Sequence, residues 1–379
     1  MMKEFVENHM DEMLEMLKEL VNTDSGSHDK AGVDHVGHML REKYEKTGFV
    51  TDVRESEQYG NSLVLRHQDA VDPDILILAH MDTVFPKGTA EQRPFSIKNG
   101  RAYGPGVIDM QPSHVLILYA LNALKDEQIP VYKNVEIVLN SDEELGTISS
   151  RSLIEERAKG KKYALVMEPA RPDGSIVSSR RGAGRYELTV KGKAAHSGMN
   201  PADGVSAIDE IAHKVIELKA LADPDNGVHI NVGLIEGGTS VNTIAPMAKA
   251  EIDVRITKAE QGDVIDQKIR DVCEKSAIAG TELTLTGGIN RPPMEFTEST
   301  KALVDTIQAE AEKLGLNVGH IATGGGSDAS FTAAMGVPTV DGLGPVGGNQ
   351  HTEEEYLIVD TLTERTILFA NVLQRLSTT

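Results

Sequence analysis

Residues 75–84, reading ILILAHMDTV, leave few folds open to this chain. Four consecutive large apolar residues, with Pro73 and Asp74 before them and a polar cluster after, suit a strand buried on both faces of a sheet, because a half-exposed strand would alternate. The run ends in His80 and Asp82. Open α/β sheets place their ligands at the carboxyl ends of buried strands, so His80 is a candidate metal ligand. Two later apolar runs end in the same way. Residues 135–139 (VEIVL) lead into Asp142, Glu143 and Glu144, and residues 163–167 (YALVM) lead into Glu168. Strands alternating with helical patterns predict a mostly parallel sheet whose carboxyl ends share one edge. These three polar clusters, distant in sequence, are therefore expected to converge.

Elsewhere the first part of the chain follows the same alternation. Val6, Met10, Met13, Leu14, Leu17, Leu20 and Val21 recur at helical spacing and predict one amphipathic helix; Val33, Val36, Leu40 and Tyr44 predict a second. Residues 62–66 (SLVLR) read as a strand. A loop rich in Pro and Gly then reaches GPGVIDM at 104–110 and a helical pattern from Val115 to Leu121. Asp109 stands just before that helix, where a carboxylate serves either as a cap or as a ligand. The lone G-x-G at 104–106 is not continued as G-x-G-x-x-G or G-x-x-x-x-G-K-[ST], so it gives nucleotide binding little support.

From about Gly182 the texture changes. A strand at 185–190 alternates, a helix follows through Ile208, Ile211, Val215 and Leu218, then strands at 228–234 and 248–256, a helix at 264–278 and a strand at 283–286. This β-α-β-β-α-β order predicts an α+β domain of split βαβ, ferredoxin-like type. It is expected as an insertion at 182–290 in a discontinuous α/β domain formed by 1–181 and 291–379. The remainder supplies a helix at 302–314, the segment TGGGSDAS at 323–330, a short strand at 338–340, a loop carrying His351, and a last helix at 359–376.

Composition narrows the partners. With 379 residues the chain exceeds what one hydrophobic core usually supports, in keeping with two domains. A net charge of -20 argues against nucleic acid or an acidic membrane surface, since both would repel it. The one cysteine, Cys273, excludes an intrachain disulfide and lies in a helical pattern, as a small core residue would. The first residues carry too many acids for a signal peptide, and no window is long and apolar enough to span a membrane. A cytoplasmic protein is expected.

Taken together, HMDTV at 80–84, GPGVIDM at 104–110, SDEELGT at 141–147, MEP at 167–169, AAHSG at 194–198, TGGGSDAS at 323–330 and the late His351 resemble the M20 metallopeptidases, and most of all their glutamate carboxypeptidase branch. The resemblance covers nearly the whole chain and rests on the joint order of the motifs. It implies a zinc peptidase-like catalytic domain, with helices on both faces of the sheet, and an inserted lid that also forms a homodimer. It also implies two Zn²⁺ per subunit, with Asp109 bridging them, His80 and Glu168 completing one site, and Glu144 and His351 the other. Nitrogen and carboxylate donors suit zinc, although Co²⁺ or Mn²⁺ accept similar ligands. By the same resemblance Asp82 orients His80 and Glu143 is the general base. Glu143 and Glu144, as neighbours on an extended segment, would point to opposite sides. His196 is expected to reach the partner subunit's site and polarise the scissile carbonyl. Arg291 resembles the arginine that binds the substrate's carboxylate, and Asn242, Arg255, Gly325 and Gly326 match cleft positions. Gln111 and Pro112 depart from the common lysine and glycine after the Asp-Met pair, and neither removes a ligand.

The expected reaction is hydrolysis of an amide bond to a C-terminal, glutamate-like amino acid in an N-acyl or short peptide substrate. An N-acyl amino acid deacylase of the acetylornithine or succinyl-diaminopimelate type shares every ligand and differs in its pocket. A silent binding protein on this fold would have no need for Glu143. A serine hydrolase lacks its G-x-S-x-G and a zincin its H-E-x-x-H.

Overall fold

The computed structural model describes residues 2–378. Contacts divide them into two compact units. The first is the chain up to Ser179 with Phe296–Thr323 and the chain from Ser327 onward; the second is Arg180–Glu295 with Gly324–Gly326.

The first unit is organised on a six-stranded sheet whose spatial order is Phe49–Arg54, Ser62–His67, Val135–Asn140, Ile75–His80, Tyr163–Val166 and Thr339–Val340. The last four are mutually parallel; Ser62–His67 runs antiparallel to both its neighbours, Val135–Asn140 and the edge strand Phe49–Arg54. All six residues of Ile75–His80 are buried. Ile75, Ile77 and Ala79 join the main core, whereas Leu76 and Leu78, equally buried, face the other side. This two-sided burial is the reason the strand is apolar without alternation, each such side chain contributing roughly 1.5–3 kcal/mol. The helices Met10–Val21 and Val359–Leu376 each pack against Gln111–Asp126 and complete that core.

Register then places the strand ends. His80 pairs with Asn140, and Leu78 with Val166. Continuing past Val166, the Met167 N–H donates to the Leu78 carbonyl at 3.0 Å, which brings Glu168 alongside His80.

Two local expectations differ from the structure. The first amphipathic segment is two helices, Met2–Asn8 and Met10–Val21, parted at His9, whose Nδ1 lies 2.7 Å from the Phe5 carbonyl that also accepts its N–H at 3.2 Å. The loop after residue 84 contains two short strands, Ser96–Lys98 and Arg101–Tyr103. With Tyr356–Ile358 and Gly347–Gly348 they form a small antiparallel sheet.

In the second unit, strands Gly182–Lys191, His229–Gly237, Met247–Ile256 and Glu282–Arg291 alternate with helices Ala207–Ala220 and Glu260–Glu274 in β-α-β-β-α-β order. The sheet is antiparallel, with His229–Gly237 at one edge and Glu282–Arg291 at the other. Cys273 is free and buried in this unit's core, where burial pushes its thiol up to about 11. No helix among the described residues is long and apolar enough to cross a membrane.

Candidate metal centre

His80 closes its strand with Nδ1 2.9 Å from the backbone carbonyl of Asp82. A carbonyl only accepts, so in the neutral ring Nδ1 carries the proton and Nε2 presents its lone pair. Nε2 lies 3.2 Å from Asp109 Oδ1 and 3.6 Å from Glu168 Oε1. The other oxygen of the same aspartate, Oδ2, lies 3.5 Å from His351 Nε2, which is 3.2 Å from Glu144 Oε2. Asp109 thus divides its two oxygens between two imidazoles, each of which faces a further glutamate. His351 has φ of 63° and a side chain about half exposed, whereas His80 is buried.

Glu143 and Glu144 do not lie on an extended segment. They form a short 3-10 turn, Glu143–Leu145, because one carboxylate gathers their backbone. Asp82 Oδ1 accepts the Glu143 N–H at 3.2 Å, and Oδ2 accepts the Glu144 N–H at 3.2 Å and the Ser27 hydroxyl at 2.7 Å. Asp82 is fully buried, and its Oδ1 is 3.5 Å from His80 Nδ1, farther than its own carbonyl. Its carboxylate therefore holds the turn of the two glutamates at least as much as it orients His80. The third acid, Asp142, ties down the turn that leads into helix Arg151–Ala158: its Oδ2 accepts the Ser149 N–H at 2.5 Å, and the Ser150 hydroxyl donates to Oδ1.

Burial disfavours every charge in this cluster, and the groups adjust to one another. Against burial, Asp109, Asp82 and Glu168 hold the His80 imidazole well above its ordinary value. Asp109 and Glu144 raise His351 to about 10. His351 and His80 in turn keep Asp109 below the usual carboxylate range despite its burial. Burial pushes Glu144 up and Glu168 well up, with Asp109 adding to the second. Two imidazoles face Asp109, Glu143, Glu144 and Glu168, an excess of negative charge that a cation would balance.

The donor set passes a test of fit for such a cation. One ligand atom each from His80, Asp109 and Glu144 lie within 4.8 Å of one another, as do those of His80, Glu143 and Glu168. Glu144 Oε1 is buried without a hydrogen-bond partner. Nitrogen and carboxylate oxygen suit zinc and its borderline neighbours.

Residues 76–375 match the peptidase family M20/M25/M40. The chain belongs to that family. This M20 chain is 28% identical over 369 residues to carboxypeptidase G2 of Pseudomonas sp. (strain RS-16), covering 96% of itself and 89% of that protein. It is 26% identical over 388 residues to the succinyl-diaminopimelate desuccinylase of Thioalkalivibrio sulfidiphilus (strain HL-EbGR7), covering 97% and 99%. Among solved structures, aminopeptidase PepT of Bacillus cereus ATCC 10987 superposes with a TM-score of 0.82 at 24% identity, covering 97% and 99%, a likeness of fold. The M20 chain is a hydrolase of metallopeptidase type.

The remaining site candidates lie in the second unit, all but Arg255 in two groups. His196 pairs with Thr243 through an isolated bridge, and the Asn242 carbonyl accepts the Ser197 N–H at 3.0 Å, so the AAHSG and SVNT segments meet. Arg291 packs on the glycine-rich loop, where a Cβ on Gly326 would fall 2.6 Å from its Cδ. Arg180 donates to the Gly325 carbonyl at 2.9 Å and the Gly326 carbonyl at 3.3 Å. Arg255 belongs to neither group and forms a bidentate pair with Asp253 at 2.9 and 3.0 Å.

Sequence reasoning passed over three buried residues behind the ligands. Ser27 holds Asp82, Glu355 accepts three backbone N–H groups of the Asp109 loop, and His114 supports the His80 backbone. Glu355 follows His351 in HTEEE, a run of acids that reads as solvated surface until its burial is known. Burial pushes it up to about 7, against the N–H groups it accepts. On Gln111–Asp126, a helix with Pro112 in its first turn, Gln111 is buried with its Nε2 3.3 Å from Ser25 Oγ, and His114 Nε2 lies 2.8 Å from the His80 carbonyl.

Burial pushes His114 down from 6.5 to about 3. Between those values the unfolded chain binds a proton that the folded chain does not, so stability is lost as pH falls through this window. The slope from this group is roughly 1.4 kcal/mol per pH unit. His114→Gln keeps a donor for the His80 carbonyl and does not titrate. In urea unfolding from pH 6.5 to pH 4, with both proteins in the same metal state, the variant is expected to lose stability less steeply than wild type. Parallel pH slopes would contradict the assignment.

Proposed function

We propose that this chain is a di-metal amide hydrolase that removes a C-terminal, glutamate-like amino acid from an N-acyl or short peptidyl substrate. The observation that carries this reading is the division of Asp109 between His80 and His351, with Glu168 and Glu144 behind them. His80, Glu168 and Asp109 would hold one divalent cation, and Asp109, Glu144 and His351 the second, with zinc as the expected metal. Such a pair supplies Lewis acidity to the scissile carbonyl and lowers the pKa of water at neutral pH.

The chain's own residues supply the rest. Glu143 stands among His80 and Glu168 with its backbone fixed by Asp82, in a position to take a proton from the attacking water and return it to the leaving amine. His196 Nδ1 accepts the N–H groups of Gly198 and Met199, each at 3.2 Å, so its neutral ring carries the proton on Nε2. That proton suits an oxyanion. Arg291, beside Gly326, offers a fork for the substrate's α-carboxylate.

His196 is proposed to act on the partner subunit of a homodimer. The strand His229–Gly237 lies at the edge of its sheet, and its Leu234 and Ile235 are more than half exposed. Exposed apolar edge strands favour pairing with another chain. Mixing inactive His196→Ala with inactive Glu143→Ala subunits is expected to restore activity in the heterodimer. No recovery would contradict action in trans.

A deacylase is the second reading, favoured by a relative named as a desuccinylase that matches over nearly the full length of both chains. A substrate panel decides between them. Metal-reconstituted enzyme is assayed on folyl, acyl and dipeptide substrates ending in Glu, Asp, Arg, Lys or an apolar residue, each also as its C-terminal amide. A carboxypeptidase prefers one C-terminal residue across many acyl groups, and a deacylase prefers one acyl group. For the better substrate, amidation is expected to lower kcat/KM by about a hundredfold or more, the scale of a lost charged pair. Equal rates on free and amidated substrates would contradict the Arg291 role.

A further inference from the structure

We propose that Glu355 is a positioning residue that locks two metal ligands, Asp109 and His351, into one rigid piece. The inference rests on the metal-centre reading and goes beyond it, since Glu355 touches neither ligand's side chain. It begins with the small sheet. Tyr356 pairs with Tyr103 in antiparallel register, and Ile358 with Arg101. The chain that leaves Tyr103 and the chain that arrives at Tyr356 therefore emerge at the same end. One carries residues 104–110, with Asp109, and the other carries residues 351–355, with His351. Residues almost 250 positions apart are brought together by three residue pairs.

At that junction Glu355 is 1% exposed. Its Oε1 accepts the N–H of Ile108 at 2.9 Å and of Asp109 at 3.0 Å, and its Oε2 accepts the N–H of Gly106 at 3.1 Å. Three converging N–H groups on one carboxylate fix the loop that would otherwise be free to choose where Asp109 points. Gly106 has φ of 71°, a conformation that suits glycine and turns its N–H inward.

The other half of the clamp is equally fixed. The Thr352 hydroxyl donates to the Asn349 carbonyl at 2.8 Å, the Glu354 N–H donates to the Thr352 hydroxyl at 3.2 Å, and the Glu355 N–H donates to the Thr352 carbonyl at 3.3 Å. His351 thus leaves the same short turn that ends in Glu355. A carboxamide at position 355 has the same shape but only one acceptor atom. It would leave the Gly106 N–H facing an NH₂ group, with a buried donor unpaired.

The test uses the full-length chain, stripped of metal and titrated with Co²⁺, for wild type, Glu355→Gln and Glu355→Asp. Circular dichroism and thermal unfolding of the metal-free proteins report the fold. The visible absorption of bound Co²⁺ and the stoichiometry after dialysis report the site. Wild type is expected to bind two equivalents. Glu355→Gln, folded as wild type, is expected to bind Co²⁺ at least about tenfold more weakly, within the range for groups that orient ligands, and with an altered spectrum. Glu355→Asp, which keeps the charge at a shorter reach, is expected to lie between them, and it carries the comparison if Glu355→Gln does not fold. Two equivalents bound by a folded variant with wild-type affinity and spectrum would overturn the role of Glu355 and leave the metal centre standing. Failure of wild type to bind two equivalents would overturn the metal centre and this proposal with it.

Discussion

Glu143→Gln is expected to lower kcat by about 10²- to 10⁴-fold while leaving bound metal and the folded state unchanged, the range of a general acid–base group. The outcome discriminates between two readings of one geometry. A Glu143 oxygen, His80 and Glu168 have donor atoms within 4.8 Å of one another, which is also what a third ligand would show. The pairing of Glu168 and Asp109 with His80, and of Glu144 and Asp109 with His351, already supplies donors for two cations without Glu143. A base can be neutralised without loss of metal; a ligand cannot. Metal content by elemental analysis beside steady-state kinetics decides it. Loss of one equivalent of metal in Glu143→Gln, or kcat within about threefold of wild type, would contradict the role as base.

Asp109→Ala should have the largest effect on the metals themselves. Its two oxygens face different histidines, so removing it weakens both positions, whereas His80→Ala or His351→Ala each removes a donor from one. A loss of at least about a hundredfold in affinity at both positions is expected, beyond the 10- to 100-fold typical of groups that only orient ligands, with turnover lost alongside. Competition with a chromophoric chelator measures it. If Asp109→Ala kept one site at wild-type affinity, the shared carboxylate would be the wrong description. The same reasoning gives Asp82 more weight than orientation of an imidazole. Since Asp82 holds the backbone of both Glu143 and Glu144, Asp82→Asn leaves one of those N–H groups facing another donor and should displace base and ligand together.

Much of this was legible in the sequence because buried parallel strands write themselves as unbroken apolar runs. The run at 75–79, VEIVL at 135–139 and YALVM at 163–167 gave the sheet, and what followed each run gave His80, Glu144 and Glu168. Parallel register is regular, so strand ends that look alike in sequence end at one edge. What escaped is equally physical. The strands Arg101–Tyr103 and Tyr356–Ile358 are three residues long and take their pairing from each other across the length of the chain, so no local pattern announces them. Glu355 sits in an acidic run that is indistinguishable from solvated surface until its burial is known. The turn at Glu143 has no local signal because the carboxylate that shapes it, Asp82, arrives from beyond another strand. Arg180, which can be taken for a hinge charge, is committed to the carbonyls of Gly325 and Gly326.

The central claim is that two cations share Asp109, and anomalous X-ray scattering from crystals of zinc-loaded protein, recorded on either side of the zinc absorption edge, tests it most directly. Two peaks are predicted, one between Asp109, His80 and Glu168 and the other between Asp109, His351 and Glu144. A single peak, or a second one held by Glu143 in place of Glu144 and His351, would contradict the account.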